Sequence, residues 1–326
     1  MIRCGLSRRQ AKAAYFPAWK ASAGRVPLIK VPGFRRSAAG AVLACLLPVT
    51  AAVFAADHAL AASPTMARIA ERGEIRLGYV PDAPPMSFVG EDGQPRGYSI
   101  ALCEHVVGAV REALKLPDLD VRFVALEALD ERLDAVASGR VDLECGATTV
   151  TLSRRERVDF SLMTFITGGA VLSRRDDAIP STTELAGRRI AVLRDTTTQD
   201  AVETFRDYND MDIALVLLES NADGIPLLAK GEVDGLAGDR AMLVGQALQT
   251  GKPEEYVLTR NVFSFEPYAL MLARGDTEFR LLVDSSLAEL YRTARIRRLY
   301  SDWFGSAGLP MPKIVEAMYE FQAIAE

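Results

Sequence analysis

Between Glu74 and Val80 the chain reads EIRLGYV, with apolar and polar residues alternating, and the alternation predicts a strand. PDAPP ends it, and GEDGQPRG (Gly90–Gly97) is dense in turn residues. After Tyr98, SIALCEHVVGAVREALKL carries apolar residues at helical spacing. LDVRFVAL (Leu119–Leu126) predicts a second strand. LDERLDAVASG predicts a short amphipathic helix stopped by Gly139, and VDLECGA a third strand. The order β-α-β-α-β is that of a parallel sheet with helical crossovers.

The pattern then restarts. ELAGRRIAVLRDTTTQDAVETF gives a turn, a strand at Arg189–Leu193, a polar loop and a helix. DIALVLLES predicts another strand, NADGIPLLAKGE a helix, and VDGLAGDRAMLVGQAL a strand, a loop and a helix. GIPLLAKGEVDGLAGD and LDAVASGRVDLECGAT share the succession of helix, glycine, acidic residue and strand, which hints at duplication. YALMLARGD predicts a last strand, and FRLLVDSSLAELYRTARIRRLYSDWFG one long terminal helix.

The first 61 residues follow a different pattern. Lys30, Arg35 and Arg36 precede the apolar run AAGAVLACLLPVTAAVFAA (Ala38–Ala56), and ALA (Ala59–Ala61) offers small residues where a signal peptidase cuts. A cleaved secretory leader over residues 1–61 is the expectation. The rival is a membrane anchor, which Pro48, the small residues and the cleavage pattern disfavour. VLAC at Val42–Cys45 faintly resembles a lipoprotein box, but it sits inside the apolar core. Cleavage after Ala61 leaves 265 of the 326 residues, enough for two domains. The leader holds nine of the 38 Lys and Arg and one of the 43 Asp and Glu, so the remainder has 29 against 42, a net of −13. So acidic an export product is a poor binder of nucleic acid or anionic lipid.

In open α/β sheets, ligands bind beyond the carboxyl ends of the strands. Three polar stretches lie there: ECGATTVTLSRRERVDFS (Glu144–Ser161), LRDTTTQ and LAGDRA. The first could serve a phosphate, a nucleic acid, a catalytic hydroxyl or a small carboxylate. No GxxxxGK[ST] loop is present to hold a nucleotide. The one histidine after the leader, His105, lies in a helical pattern, so a hydroxyl nucleophile lacks a histidine base. Cys103 and Cys145 have no metal-ligand spacing, and no cofactor is expected. They can pair in an oxidising compartment, but sequence does not say whether they are close enough.

The markers GYSIAL, LDAVASGRVDLECGATTVTLSRRERVDFS, ELAGRRIAV, GEVDGLAGDRAML, YALMLARGD and RIRRLYSDWFG occur in this order. Together they resemble the periplasmic amino-acid-binding proteins that serve ABC importers, over about Ile69 to Gly305. DLECGATT is most similar to the glutamate/aspartate branch, and TTVTLSR to the broad L-amino-acid branch. The resemblance implies an α/β fold of two lobes that close on ligand like a flytrap, with two hinge crossings. It places lobe 1 at 62–173 plus 267–326 and lobe 2 at 174–266. It implies a periplasmic monomer with a permease of separate chains as partner.

The resemblance also assigns residues. Arg154 would take the ligand's carboxylate with two parallel donors; otherwise it pairs with Glu156 or Asp159. Thr149 would offer a hydroxyl and an amide, and Ala147 backbone groups alone. Asp239 would accept the ligand's ammonium, cap the helix that follows, or both. Thr196, Thr197 and Thr198 precede a helix whose free amides attract anions; simple capping is the alternative. Arg132 matches an arginine that meets a side-chain carboxylate, but pairing with Asp130 or Asp134 is as easy. The second arginine of that branch falls on Val80 and its histidine on Asn221, which argues for a less acidic or broader ligand. Phe88 and Met86 fall where an aromatic lid is usual, with core packing as the alternative. Arg155 and Arg157 match no ligand position and read as surface residues. Two other functions stay open: a dehydratase acting on cyclohexadienyl acids, a chemistry hosted by the same fold, and a sensor subunit for a separate membrane receptor.

Overall fold

The structure, a computed structural model, describes residues 63–305 and 309–325. The leader expected over residues 1–61 lies outside them. Helix α1 (Pro64–Arg72), capped by the Ser63 hydroxyl, leads into β1 (Glu74–Tyr79). Short strands β2 (Asp82–Ala83), β3 (Ser87–Val89) and β4 (Pro95–Arg96) form a small antiparallel sheet before α2 (Tyr98–Leu114). Gly97 starts that helix with φ 139°, and a Cβ there would stand 2.1 Å from the Met86 carbonyl oxygen, so only glycine fits.

Next come β5 (Asp120–Ala125), α3 (Leu129–Ala137), β6 (Leu143–Glu144), the single turn α4 (Leu152–Arg155) and β7 (Val158–Thr167). The chain crosses at Gly168 into β8 (Gly169–Arg174), then continues through β9 (Arg188–Leu193), α5 (Thr197–Tyr208), β10 (Ile213–Leu218), α6 (Gly224–Ala229), β11 (Gly235–Asp239), α7 (Arg240–Gln249) and β12 (Tyr256–Leu258). It returns as β13 (Glu266–Ala273) and ends in α8 (Thr277–Arg292), α9 (Arg295–Phe304) and α10 (Lys313–Gln322).

Two five-stranded sheets result, ordered β5-β1-β6-β13-β7 and β10-β9-β11-β8-β12. In each, three strands run parallel, as the sequence predicts, and the next strand joins antiparallel. That antiparallel strand comes from a crossing segment in both cases, β13 in the first sheet and β8 in the second. The same order in both sheets fits the duplication hinted at by the two repeated patterns. Strand pairing puts β8 in the second sheet, so the first crossing lies at Gly168 and not at the expected Ser173/Arg174 boundary. The reason is the continuous apolar run on either side of Gly168, which hides the break from pattern reading. The single long terminal helix also fails to form. Thr293 is extended (φ −103°, ψ 157°) and separates α8 from α9.

The core of lobe 1 is the larger one. It stacks Phe165, Tyr300 and Phe304, with ring centroids 4.5–6.3 Å apart, beneath Tyr98 and Tyr268. A disulfide joins Cys103 on α2 to Cys145 just after β6 (S–S 2.12 Å). The cysteine question left open by the sequence is thus answered, and the staple fastens the strand end that carries Gly146 to Thr149. His105 hydrogen-bonds the Ser286 carbonyl on α8 and has a structural place. Among the described residues, no helix is long and apolar enough to cross a membrane, and no cluster of His, Cys, Asp or Glu is arranged to hold a metal.

Candidate functional site

The lobes face each other across one cleft of about 840 Å³, its open mouth included. Its walls follow the carboxyl ends of parallel strands: Val80 after β1, Ala147 to Thr149 after β6, Leu193 and Thr196 to Thr198 after β9, Asn221 after β10 and Asp239 at the end of β11. Side chains from both lobes meet because each sheet presents the same end.

Lobe 1 contributes two arginines. Arg154 ends the turn α4, whose N-cap is Thr151, and its Nη1 donates to the Thr149 carbonyl at 2.7 Å. It makes no ion pair among the described residues, neither with Glu156 nor with Asp159. Burial lowers its pKa, with Arg132 nearby adding to the effect. Arg132 Nη1 donates to Thr148 Oγ1 at 3.1 Å and lies 3.5 Å from Glu144 Oε1. Glu144 is fully buried; burial raises its pKa, and Arg132 opposes the rise. Asp130 and Asp134 are taken by Arg157 at 2.6 Å each. The pairing expected as the alternative for Arg132 therefore belongs to a neighbour, and Arg132 is left to the cleft. Arg155 is exposed and lies over the Phe160 ring.

Lobe 2 contributes one acid and a helix start. Asp239 is partly accessible from the cleft, yet the surrounding protein strips most of its hydration. Its pKa rises to about 7, through desolvation first and the nearby Glu266 second. Tyr268 Oη, from lobe 1, donates to one of its oxygens and Thr198 Oγ1 lies 3.3 Å from the other. Asp239 stands at the N-cap position of α7 but makes no side-chain capping bond, so its carboxylate is not consumed by the helix. Thr196 does cap α5: its hydroxyl accepts from Gln199 N at 3.2 Å and donates to the Leu193 carbonyl at 2.7 Å.

At the return crossing, Glu266 is buried and its carboxylate collects three hydroxyls. Thr149 (2.8 Å) comes from lobe 1, Thr197 (2.7 Å) from lobe 2, and Ser264 (2.5 Å) from the segment between. The Thr149 hydroxyl expected at a ligand is thus already committed to Glu266, whereas Thr197, expected to act through its amide, spends only its hydroxyl there. A second bridge lies at the rim. Asp82 of lobe 1 accepts from Ser220 Oγ (2.8 Å), Asn221 N (3.0 Å) and Asn221 Nδ2 (3.3 Å) of lobe 2. Beside it, Gly245 of α7 sits against the cis Pro84–Pro85 turn, where a Cβ would come 2.4 Å from the Pro84 carbonyl oxygen. The lobes are closed on each other.

The structure thus brings Arg132, Ala147, Thr149, Arg154, Thr196, Thr197, Asn221 and Asp239 to one cleft. Phe88 and Met86 are not among its walls. The Phe88 ring stands edge-on to Trp303 at 6.1 Å, and Met86 is fully buried in the lobe 1 core. The aromatic lid expected there does not form, because β3 turns that face toward α9. Sequence reasoning missed Glu266, Tyr268 and Asp82, whereas Thr198 reaches the cleft with the other two threonines of its run. The first two open β13, which reads as an ordinary apolar strand. The signal for Asp82 was a lone acid in a proline-rich break that caps no helix.

A family model described as bacterial extracellular solute-binding proteins, family 3, matches residues 75–306. An L-glutamate/L-aspartate-binding protein of Pseudomonas aeruginosa is 32% identical over 241 residues, covering 74% of this chain and 80% of that one. A glutamate/aspartate import solute-binding protein of Escherichia coli is 27% identical over 269 residues, 82% and 88% of the two chains. Among solved structures, an ABC uptake transporter substrate-binding protein from Streptococcus pneumoniae with bound histidine superimposes with a TM-score of 0.65. It covers 73% of this chain and 95% of its own at 18% identity, which is a likeness of fold.

Proposed function

The chain belongs to the bacterial extracellular solute-binding proteins of family 3, and from that membership we propose that it captures a polar or acidic L-amino acid between its lobes. It does so outside the cytoplasm, as a monomer, and delivers the ligand to an ABC permease made of separate chains. It binds and releases, and catalyses nothing.

One observation carries the reading. Arg154 and Asp239 face one cleft from opposite lobes, near enough to shift each other's pKa, yet without an ion pair between them. A zwitterion inserted there satisfies both. Its carboxylate takes the free guanidinium donors of Arg154, a charge-assisted pair. The amides of Thr197 and Thr198 at the start of α5 supply the opposite side of the same anion. Its ammonium takes Asp239, replacing lost hydration with a carboxylate. Arg132 stands further along the lobe 1 wall and meets a side-chain carboxylate or amide. Because Glu144 already neutralises part of that charge, the pocket suits polar side chains as well as acidic ones. Val80 in the wall agrees with a broader range.

Contacts from two lobes exist together only when the lobes are closed, so ligand shifts the balance toward closure. The test is a thermal-shift screen of residues 62–326 against the twenty amino acids, followed by calorimetry on the hits. Glutamate, aspartate, glutamine or asparagine should raise the melting temperature by mass action. No shift with any amino acid overturns the reading. Turnover of a cyclohexadienyl carboxylate overturns the claim of pure binding.

A further inference from the structure

Helix α7 has two working faces. Met242, Leu243 and Gln246 line the ligand cleft, while Arg240, Ala241 and Val244 line a second cavity on another side of the helix. This cavity has a volume of about 940 Å³, its mouth included. It lies beside the crossing strands and takes walls from both lobes: Ile166, Tyr300 and Phe304 from lobe 1, Val244 and Leu258 from lobe 2, and Phe265 from the return crossing. The walls are mostly apolar, and Phe265 is 71% exposed, a large aromatic left facing water beside a hollow.

One lining side chain is charged. Arg240 is half-buried, and its Nη2 donates to the Thr259 and Arg260 carbonyls at 2.7 and 3.4 Å. No acid pairs with it among the described residues. Burial alone lowers its pKa, with no neighbouring charge acting on it. A half-buried guanidinium with no acid beside it leaves donors unused at the edge of an apolar hollow. Its Nη1 and Nε have no hydrogen-bond acceptor among the described residues.

We propose that this second cavity binds a small amphipathic anion, with an apolar body against Phe265, Val244 and Phe304 and a carboxylate on Arg240. The charge complementarity selects the occupant: an apolar wall alone accepts any grease, but an unpaired arginine prefers an anion. Since the walls come from both lobes, the occupant favours the closed form and raises the affinity of the ligand cleft, and the coupling is reciprocal. This inference concerns a site separate from the amino-acid cleft and does not depend on which amino acid binds there.

Calorimetric titration of octanoate into the protein, alone and saturated with glutamate, tests it. Octanoate should bind at one site, without displacing glutamate and more tightly in its presence. Octylamine should bind at least about tenfold more weakly than octanoate, and Arg240→Gln should lose octanoate by about the same factor. Val244→Trp, which fills the hollow, should abolish octanoate binding and leave the two-lobed protein able to take its amino acid. It serves as the second variant if Arg240→Gln folds poorly. The proposal is overturned if wild-type protein shows no octanoate binding at millimolar concentration, if octanoate competes with glutamate, or if both variants bind it as wild type does. If no amino acid binds, the octanoate arms on the free protein still decide this question.

Discussion

The two walls of the cleft are built from the same strand order and carry opposite charge. Lobe 1 offers Arg132 on the helix between its second and third parallel strands and Arg154 after the third; lobe 2 offers Asp239 at the end of its third parallel strand and a helix start one strand away. Lobe 1 is stapled by Cys103–Cys145 and has the larger core, whereas lobe 2 has smaller cores and, among the described residues, no disulfide. Neither wall alone is suited to a zwitterion. On the proposed reading a carboxylate docks first on lobe 1, and closure then brings Asp239 to the ammonium.

That contrast is most exposed to Arg154→Ala. Removing the unpaired cation of lobe 1 should cost about 2–5 kcal/mol of ligand binding, as for other desolvated charge partners. Calorimetry showing unchanged affinity would place Arg154 outside the site. On the opposite wall, Asp239→Asn should cost about 1.5–3 kcal/mol, the range for hydrogen bonds to charged groups.

The acid also makes the contrast sensitive to pH. With its free-state pKa near 7, Asp239 must lose a proton to receive an ammonium. Affinity should be level above about pH 7 and weaken by up to about tenfold per unit below it, with a proton released on binding; Asp239→Asn should abolish that slope. The sign for stability is the reverse. A carboxyl whose folded pKa is raised contributes stability that is complete below its ordinary value of 3.8 and lost as pH rises through about 7. Ligand-free Asp239→Asn should therefore gain in melting temperature relative to wild type as pH increases across that window. A difference independent of pH would contradict the raised pKa.

Specificity sharpens the comparison further. Arg132→Gln, made together with Glu144→Gln so that no buried acid is left alone, should weaken acidic ligands by about tenfold and leave neutral amino acids nearly unchanged. Equal loss for both would remove Arg132 from side-chain recognition. The smallest effect is expected at the rim. Asp82→Ala deletes three inter-lobe hydrogen bonds in a half-exposed place and should cost about 1 kcal/mol or less, seen as faster ligand release in stopped-flow fluorescence. Unchanged release would mean that the rim bridge does not help hold the lobes shut.

How far the sequence could be read differs by element. The parallel strands were legible because alternation and apolar runs record burial directly, and β1, β5, β6, β9, β10 and β11 fall where those patterns lie. β7 and β8 were not separable, since Gly168 is a single residue between two apolar stretches. The break after Arg292 was hidden because helical spacing continues across it. In the site, Arg154 and Asp239 were identifiable by resemblance alone; as isolated residues each had an equally good surface role. Phe88 misled because a strand of alternating residues has two faces, and which one meets the cleft depends on what packs against the other.

The sequence by itself determined two α/β units in tandem, the loops at their carboxyl ends, and the residue types those loops carry. These follow from local periodicity, which needs no partner in space. Only the tertiary structure decided which charges stay unpaired. Arg157 takes Asp130 and Asp134, Glu144 moderates Arg132, Glu266 consumes two threonines, and Arg154 and Asp239 are left facing one another. Ion pairing depends on distances of a few ångströms between segments far apart in the chain, and those distances exist only after the lobes have folded and met.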